Sequence, residues 1–190
     1  MRRALFVDRD GVLDELVFYP SHGEWEGPRT VGDLRMIAGA AAALRRAQDA
    51  GWLLFIVTNQ PSFAKGKTTL EALVEVHERV LAELAREGVQ IAESYRCYHQ
   101  ADDRCHCRKP SPFFLRKAAR DFQVALDRSW MIGDQDTDMG SGRAAGCRIA
   151  LIENPSSAHK RGAIEPDARY ATLSEAIDDI VGREQEQTAT

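Results

Sequence analysis

Two aspartates, Asp8 and Asp10, stand two residues apart where the run Arg3-Ala4-Leu5-Phe6-Val7 ends and Gly11 lets the chain turn. Like charges this close raise each other's pKa and are costly unless a cation sits beside them. A divalent metal removes that cost and leaves one carboxylate free to act as a nucleophile. The alternative for the pair taken alone is a set of solvated turn residues. Further along, Thr58-Asn59-Gln60, Arg108-Lys109-Pro110 and Asp134 with Asp138 supply a hydroxyl, a lysine and a second acidic pair. Together they suit phosphoryl transfer, where placing the phosphorus and neutralising its oxygens is most of the work. On this reading Asp8 attacks the phosphorus to form an aspartyl phosphate. Asp10 protonates the leaving oxygen, then deprotonates the water that cleaves the intermediate. Thr58 and the Asn59 backbone donate to the phosphoryl oxygens, and Lys109 adds a point charge. Mg²⁺, a hard cation preferring oxygen, is expected between Asp8, the backbone carbonyl of Asp10 and Asp134.

A second set of residues points to another metal. Cys97, His99, Cys105 and Cys107 offer three thiolates and one imidazole, enough to close a tetrahedral structural Zn²⁺ site. Residues two apart on an extended chain point to one side, so each pair can grip the ion from its own segment. His106, between two of the cysteines, is expected to turn outward. The expected role is stiffening of the loop that delivers Arg108 and Lys109, with a reduced thiol cluster as the alternative. Cys147 follows Gly146 and precedes an apolar run, as a small core residue would.

These side chains need elements to carry them. Apolar runs suited to buried strands occur at 3–7, 52–57, 94–98, 129–132 and 148–152, with a weak one near Arg169-Tyr170. Helical patterns lie between them at 40–49, from Thr68 or Thr69 to Gly88, at 112–122, at 138–145 and at 174–181. His77 on the second helix reads as a surface or edge residue without a role. Residues 14–28 show no period and read as a long loop. Strands alternating with helices mean an α/β fold with a doubly wound parallel sheet. The polar clusters each follow a strand, so they should meet at the carboxyl edge of that sheet. One domain is expected over 1–183, with 97–107 as the zinc loop and 184–190 as a frayed polar tail.

The 190 residues carry 25 basic and 29 acidic side chains, a formal charge of −4, and 44% are hydrophobic. That length supports one real core. The acidic balance gives no electrostatic footprint for nucleic acid, and no apolar run is long enough to span a bilayer. The stretch after Met1-Arg2-Arg3 is too short for a signal sequence, so a cytoplasmic monomer is expected.

Asp8-Arg9-Asp10-Gly11, Thr58-Asn59-Gln60, Arg108-Lys109-Pro110 and Gly133-Asp134-Gln135-Asp136-Thr137-Asp138, in this order, resemble the motifs of the haloacid dehalogenase superfamily. The Cys97-Tyr98-His99 and Cys105-His106-Cys107 run resembles its D-glycero-D-manno-heptose 1,7-bisphosphate 7-phosphatase and histidinol-phosphatase subfamily. The resemblance spans Leu5 to about Ile177. It implies a Mg²⁺-dependent phosphatase without a cap domain, acting on a small phosphorylated sugar in nucleotide-activated heptose biosynthesis. It places Asn59, Gln60, Arg108 and Gln135 at the substrate and leaves loops 15–28, 61–66 and 97–107 to close the site. Histidinol phosphate or another small phosphomonoester is the alternative substrate, and a non-catalytic sugar-phosphate-binding module the alternative of another class. The chain departs from the family pattern at Val12, at Tyr19-Pro20-Ser21-His22, at Pro61-Ser62-Phe63 and at Gln135. All four bear on the leaving group rather than on the phosphoryl machinery.

Overall fold

A computed structural model describes residues 1–188. In chain order the elements are β1 (Ala4–Val7), β2 (Val17–Tyr19), β3 (Glu24–Glu26), α1 (Ala40–Asp49), β4 (Leu53–Asn59), α2 (Leu70–Arg86) and β5 (Glu93–Cys97). There follow α3 (Phe113–Phe122), β6 (Trp130–Gly133), α4 (Asp136–Ala145), β7 (Arg148–Ile152), β8 (Ala168–Tyr170) and α5 (Leu173–Thr188). Six strands form one parallel sheet in the order β5-β4-β1-β6-β7-β8. The chain winds outward from β1 to β5, then returns to start the other half at β6. A ligand crevice belongs where the winding reverses, beside β1.

Alternation along the strands divides the core into two layers. Leu5 and Val7 of β1 pack with Leu44, Val76, Val80 and Ile177 of α1, α2 and α5. Ala4 and Phe6 face the other way, onto Leu115 and Met139 of α3 and α4. Both faces of the sheet are covered, which is why its strands read as continuous apolar runs rather than as alternating ones.

Three expectations need correction. The stretch 14–28 is not a plain loop, because Val17–Tyr19 and Glu24–Glu26 pair as an antiparallel hairpin. Strands of three residues are too short to show a period. His77 is not at the surface: it is fully buried, with Nε2 2.9 Å from Ser94 Oγ. It shares the inward face of α2 with Leu73, Val76, Val80 and Leu84. The last helix does not end near Val181, and the expected tail from Glu184 continues it to Thr188. Glu and Gln are good helix formers and no proline intervenes. Ala189 and Thr190 lie outside the described residues.

Candidate active site

β1, β4 and β6 are adjacent, and their carboxyl ends bring together Asp8, Thr58 and Asp134. Asp8 leaves β1 held by its own backbone N–H on the Ile132 carbonyl at 2.9 Å. Gly11 then turns at φ +83°, and a side chain there would strike the Asp134 carboxylate. Gly133 is constrained likewise, since a Cβ would meet Asp138. Asp134 and Asp138 are four residues apart across the start of α4. The Asp138 Oδ2 accepts the Gln135 N–H at 3.1 Å and so caps that helix.

Lys109 Nζ ties the parts together. It lies 2.8 Å from Asp8 Oδ1 and 2.6 Å from Asp138 Oδ1, and donates to the Val57 carbonyl at 2.7 Å. Its backbone is clamped by one side chain: Asn59 Oδ1 accepts the Lys109 N–H and Asn59 Nδ2 donates to the Lys109 carbonyl, both at 3.1 Å. The Asn59 amide, expected at the substrate, is therefore occupied in placing Lys109.

Burial pushes the Asp8 carboxyl well above its ordinary pKa, with Asp138 adding to the rise and Lys109 opposing it. Asp134 is pushed up to about 7, by burial first and Asp138 second. Both of its carboxylate oxygens are buried without a hydrogen-bond partner. Burial works against the Lys109 ammonium, but Asp138 and Asp8 outweigh it and the net shift is upward. Three buried carboxylates around one ammonium form a set with surplus negative charge. Oxygens of Asp8, Asp134 and Asp138 lie within 4.8 Å of one another, spacing that suits a hard divalent cation.

Asp10 points elsewhere. Its Oδ1 accepts from Arg9 Nε and Nη2 at 3.0 and 2.7 Å, and its Oδ2 from Gln60 Nε2 at 2.5 Å. The Asp10 carboxylate is not in the metal-sized cluster; Asp138 is. Gln60 also donates to Thr58 Oγ1 at 2.9 Å, which links these two side chains to Asp10. Arg9, completely buried between Asp10 and Asp14, is a site residue that sequence reasoning passed over. Its signal was a charged residue enclosed by aspartates at the end of a buried strand.

Asp8, Asp10, Asn59, Gln60, Arg108, Lys109 and Gln135 all line one cleft, joined by Glu26 and Gly27 of the hairpin and by Lys160. Thr58 is buried beneath it. The hairpin is fastened over this cleft by Glu26, which lies 2.6 Å from Arg29 Nη2 and 2.5 Å from Lys67 Nζ. Tyr19 stacks under the Arg29 guanidinium, 3.7 Å from its ring centre.

Beside the cleft, Cys97, His99, Cys105 and Cys107 converge with ligand atoms 3.4 to 3.7 Å apart. A tetrahedron with Zn–S bonds of about 2.3 Å has edges of about 3.8 Å, and Zn–N bonds shorten them. The spacing fits that ion, and the four cysteines of the chain are free thiols. His106 turns away and meets the Phe113 ring edge-on at 4.7 Å, as expected.

Comparison with known proteins agrees with this geometry. Residues 106–176 match the HAD-hydrolase-like family. A D-glycero-beta-D-manno-heptose-1,7-bisphosphate 7-phosphatase of Helicobacter pylori is 33% identical over 156 residues, 80% of this chain and 86% of the relative. The enzyme so described from Pseudomonas putida is 31% identical over 153 residues, covering 80% and 82%. This chain belongs to that phosphatase family. The fold agrees as well: the D,D-heptose 1,7-bisphosphate phosphatase of B. bronchiseptica, solved with magnesium and phosphate, superposes with a TM-score of 0.83. That match covers 95% of this chain and 99% of the other at 24% identity. The protein is thus a haloacid dehalogenase-type phosphatase. Among the described residues no helix is long and apolar enough to cross a membrane.

Proposed function

We propose that this phosphatase removes the 7-phosphate of D-glycero-D-manno-heptose 1,7-bisphosphate through an aspartyl phosphate, serving nucleotide-activated heptose biosynthesis. The observation that carries the reading is Asp8 on the cleft wall, 2.8 Å from the Lys109 ammonium, with Asp10 two residues on in the same cleft. Named relatives at 31% and 33% identity support the sugar. Asp8 attacks the phosphorus while Lys109 neutralises a phosphoryl oxygen. Asp10, oriented by Arg9 and Gln60, delivers a proton to the departing sugar oxygen. It then recovers a proton from the water that attacks the intermediate, so the carboxyl ends as it began. Arg108 and Gln135 meet the substrate at the cleft wall, while Thr58 and the Asn59 backbone complete the phosphoryl pocket.

Asp8 and Asp134 would hold a Mg²⁺ ion with the Asp10 carbonyl, and the unpartnered Asp134 oxygens support that assignment. Such an ion supplies charge to the transferring phosphoryl and relieves the crowded carboxylates. Zn²⁺ at Cys97, His99, Cys105 and Cys107 would serve structure alone. A free-thiol cluster of this kind suits a reducing compartment, which supports a cytoplasmic enzyme.

The test is steady-state kinetics with Mg²⁺ on both anomers of the heptose bisphosphate and on histidinol phosphate. The heptose compounds should show the higher kcat/KM, and a preference for histidinol phosphate would overturn the assignment. Asp8→Asn should lower kcat at least about a thousandfold, as loss of a nucleophile does. Turnover retained in that variant would exclude the covalent route.

A further inference from the structure

Gly27 follows β3 and lies on the cleft wall beside Asp10. Glycine is often kept where the backbone is left-handed, but Gly27 is not among the glycines of positive φ. Pro28 after it favours extended backbone, which any residue adopts. What the position lacks is room. A Cβ there would strike the Asp10 carboxylate at its carbon and at both oxygens. The bare Cα at the end of the hairpin is therefore packed against the acid/base carboxyl itself.

Neither side of this contact yields cheaply. Asp10 Oδ1 accepts Arg9 Nε and Nη2 at 3.0 and 2.7 Å, and Oδ2 accepts Gln60 Nε2 at 2.5 Å. Arg9 is held in turn by Asp14, whose Oδ2 lies 3.2 Å from its Nε. On the hairpin, Glu26 is paired with Arg29 and Lys67, and Lys160 Nζ donates to the Trp25 carbonyl at 3.0 Å. Each carboxylate oxygen offers about two lone-pair sites. Two donors fill Oδ1, whereas Oδ2 has one donor and one site left. Oδ2 is thus the oxygen able to carry a proton, and the hairpin backbone bears on the carboxyl that must aim it.

We infer that Gly27 is a positioning residue for proton transfer: its missing side chain lets the hairpin seat the Asp10 carboxyl with Oδ2 towards the leaving oxygen. The inference deepens the acid/base reading of Asp10 given above and rests on it, though not on the heptose. In the first step the Oδ2–H bond breaks as the leaving oxygen gains that proton. The bond from phosphorus to that oxygen breaks while the bond to Asp8 forms. In the second step a water proton returns to Oδ2 as the water oxygen displaces Asp8 from phosphorus. A misplaced Oδ2 therefore costs most when the leaving group needs a proton.

Two substrates of similar bulk separate this from simple crowding of the cleft. Benzyl phosphate releases an alkoxide that needs the proton, and p-nitrophenyl phosphate a stable phenolate that does not. The readout is the ratio of their kcat/KM values with Mg²⁺, benzyl over nitrophenyl. In Asp10→Asn the ratio should fall at least about a hundredfold, the lower end of what acid–base catalysis contributes. In Gly27→Ala it should fall about ten- to a hundredfold, the cost of displacing a reacting group by about 1 Å. Gly32→Ala, where the added Cβ meets only Thr30 Oγ1 at 3.6 Å, should leave both activities unchanged. If Gly27→Ala does not fold, Glu26→Gln loosens the same strand without adding bulk and should lower the ratio severalfold. An unchanged ratio in Gly27→Ala, or in Glu26→Gln where the alanine variant does not fold, would overturn the inference, even if both rates dropped together. A ratio unmoved in Asp10→Asn would instead remove the acid/base reading, and the role of Gly27 with it.

Discussion

Asn59 shows how a residue at the substrate wall can act without touching the substrate through its side chain. Its amide grips both backbone groups of Lys109, and the Lys109 ammonium in turn lies on Asp8. Displacing a catalytic group by about 1 Å can cost a hundredfold in rate. Asn59→Ala should therefore lower kcat roughly ten- to a hundredfold and move KM less. Asn59→Asp, which still accepts the Lys109 N–H but cannot donate, should fall between. A rise in KM alone would make Asn59 a substrate contact instead. His77 carries a separate prediction. Burial, then the charges of Arg9 and Arg96, depress its pKa to about 3 from an ordinary 6.5. A base depressed on folding contributes stability that is complete above pH 6.5 and is lost as pH falls towards 3. His77→Leu should flatten the acid side of the stability profile, read as the urea midpoint between pH 6.5 and 4; an unchanged slope would contradict it. Residue types and spacing singled out Asp8, Asp10, Lys109 and Asp134 as candidates, because local motifs carry them, and the fold places them at one edge of the sheet. The occupation of Asn59, the burial of His77 and the place of Lys160 depend on contacts 50, 17 and 135 residues away, which no local pattern encodes.

Two elements frame the cleft, each through a different force. The β2–β3 hairpin has only three pairs of residues, too few to stand alone, and an outer face bearing Phe18 against Trp25. It stays in place through Glu26. Burial raises the Glu26 pKa, but hydrogen bonds from Lys67 and Arg29 outweigh this and lower it to about 2. A carboxylate depressed on folding contributes stability above its unfolded value of 4.5 that is lost as pH falls towards 2. Acrylamide quenching of tryptophan should therefore rise over that window as Trp25 loosens, since Trp52 and Trp130 are buried. Glu26→Gln should show the raised quenching at neutral pH already; identical quenching in variant and wild type would remove Glu26 as the fastener. The cysteine loop would be fastened by Zn²⁺ coordination through Cys97, His99, Cys105 and Cys107, and it leads directly into Arg108 and Lys109. Cys107→Ser or zinc chelation should speed amide exchange over 98–109 and lower kcat. Full activity with unchanged exchange would show the loop to be stiff without metal. The hairpin escaped sequence reasoning because three-residue strands carry no period, whereas a Cys/His spacing is legible at any length.

At the scale of the molecule, one winding rule does most of the functional work. Strand order β5-β4-β1-β6-β7-β8 places β1 where the direction of winding reverses, so residues from distant parts of the chain converge beside it. The parallel sheet was readable from buried runs alternating with helices, since each layer of core leaves its own apolar stripe. Convergence also concentrates charge: Asp8, Asp134 and Asp138 are buried together against the single ammonium of Lys109. The fold therefore keeps, at its catalytic edge, a repulsion that a cation must relieve. Asp134 makes the consequence measurable. Its pKa rises from 3.8 to about 7 on folding, by burial and then by Asp138. An acid raised on folding contributes stability that is present below its unfolded pKa and lost as pH rises through the folded one. In the metal-free protein the Asp134 contribution should thus be lost between pH 4 and pH 7, opposing the His77 contribution, which grows over much of the same window. Asp134→Asn, neutral at every pH, should melt higher than wild type above pH 7 without metal, by about 2 to 4 °C per kcal/mol relieved. Added Mg²⁺ should raise the melting temperature of wild type and leave that of the variant nearly still. The same substitution should abolish phosphatase activity, so greater stability and lost function would appear together. A metal-free variant that melts lower than wild type at pH 8 would show that the carboxylate cluster is not the strained edge described.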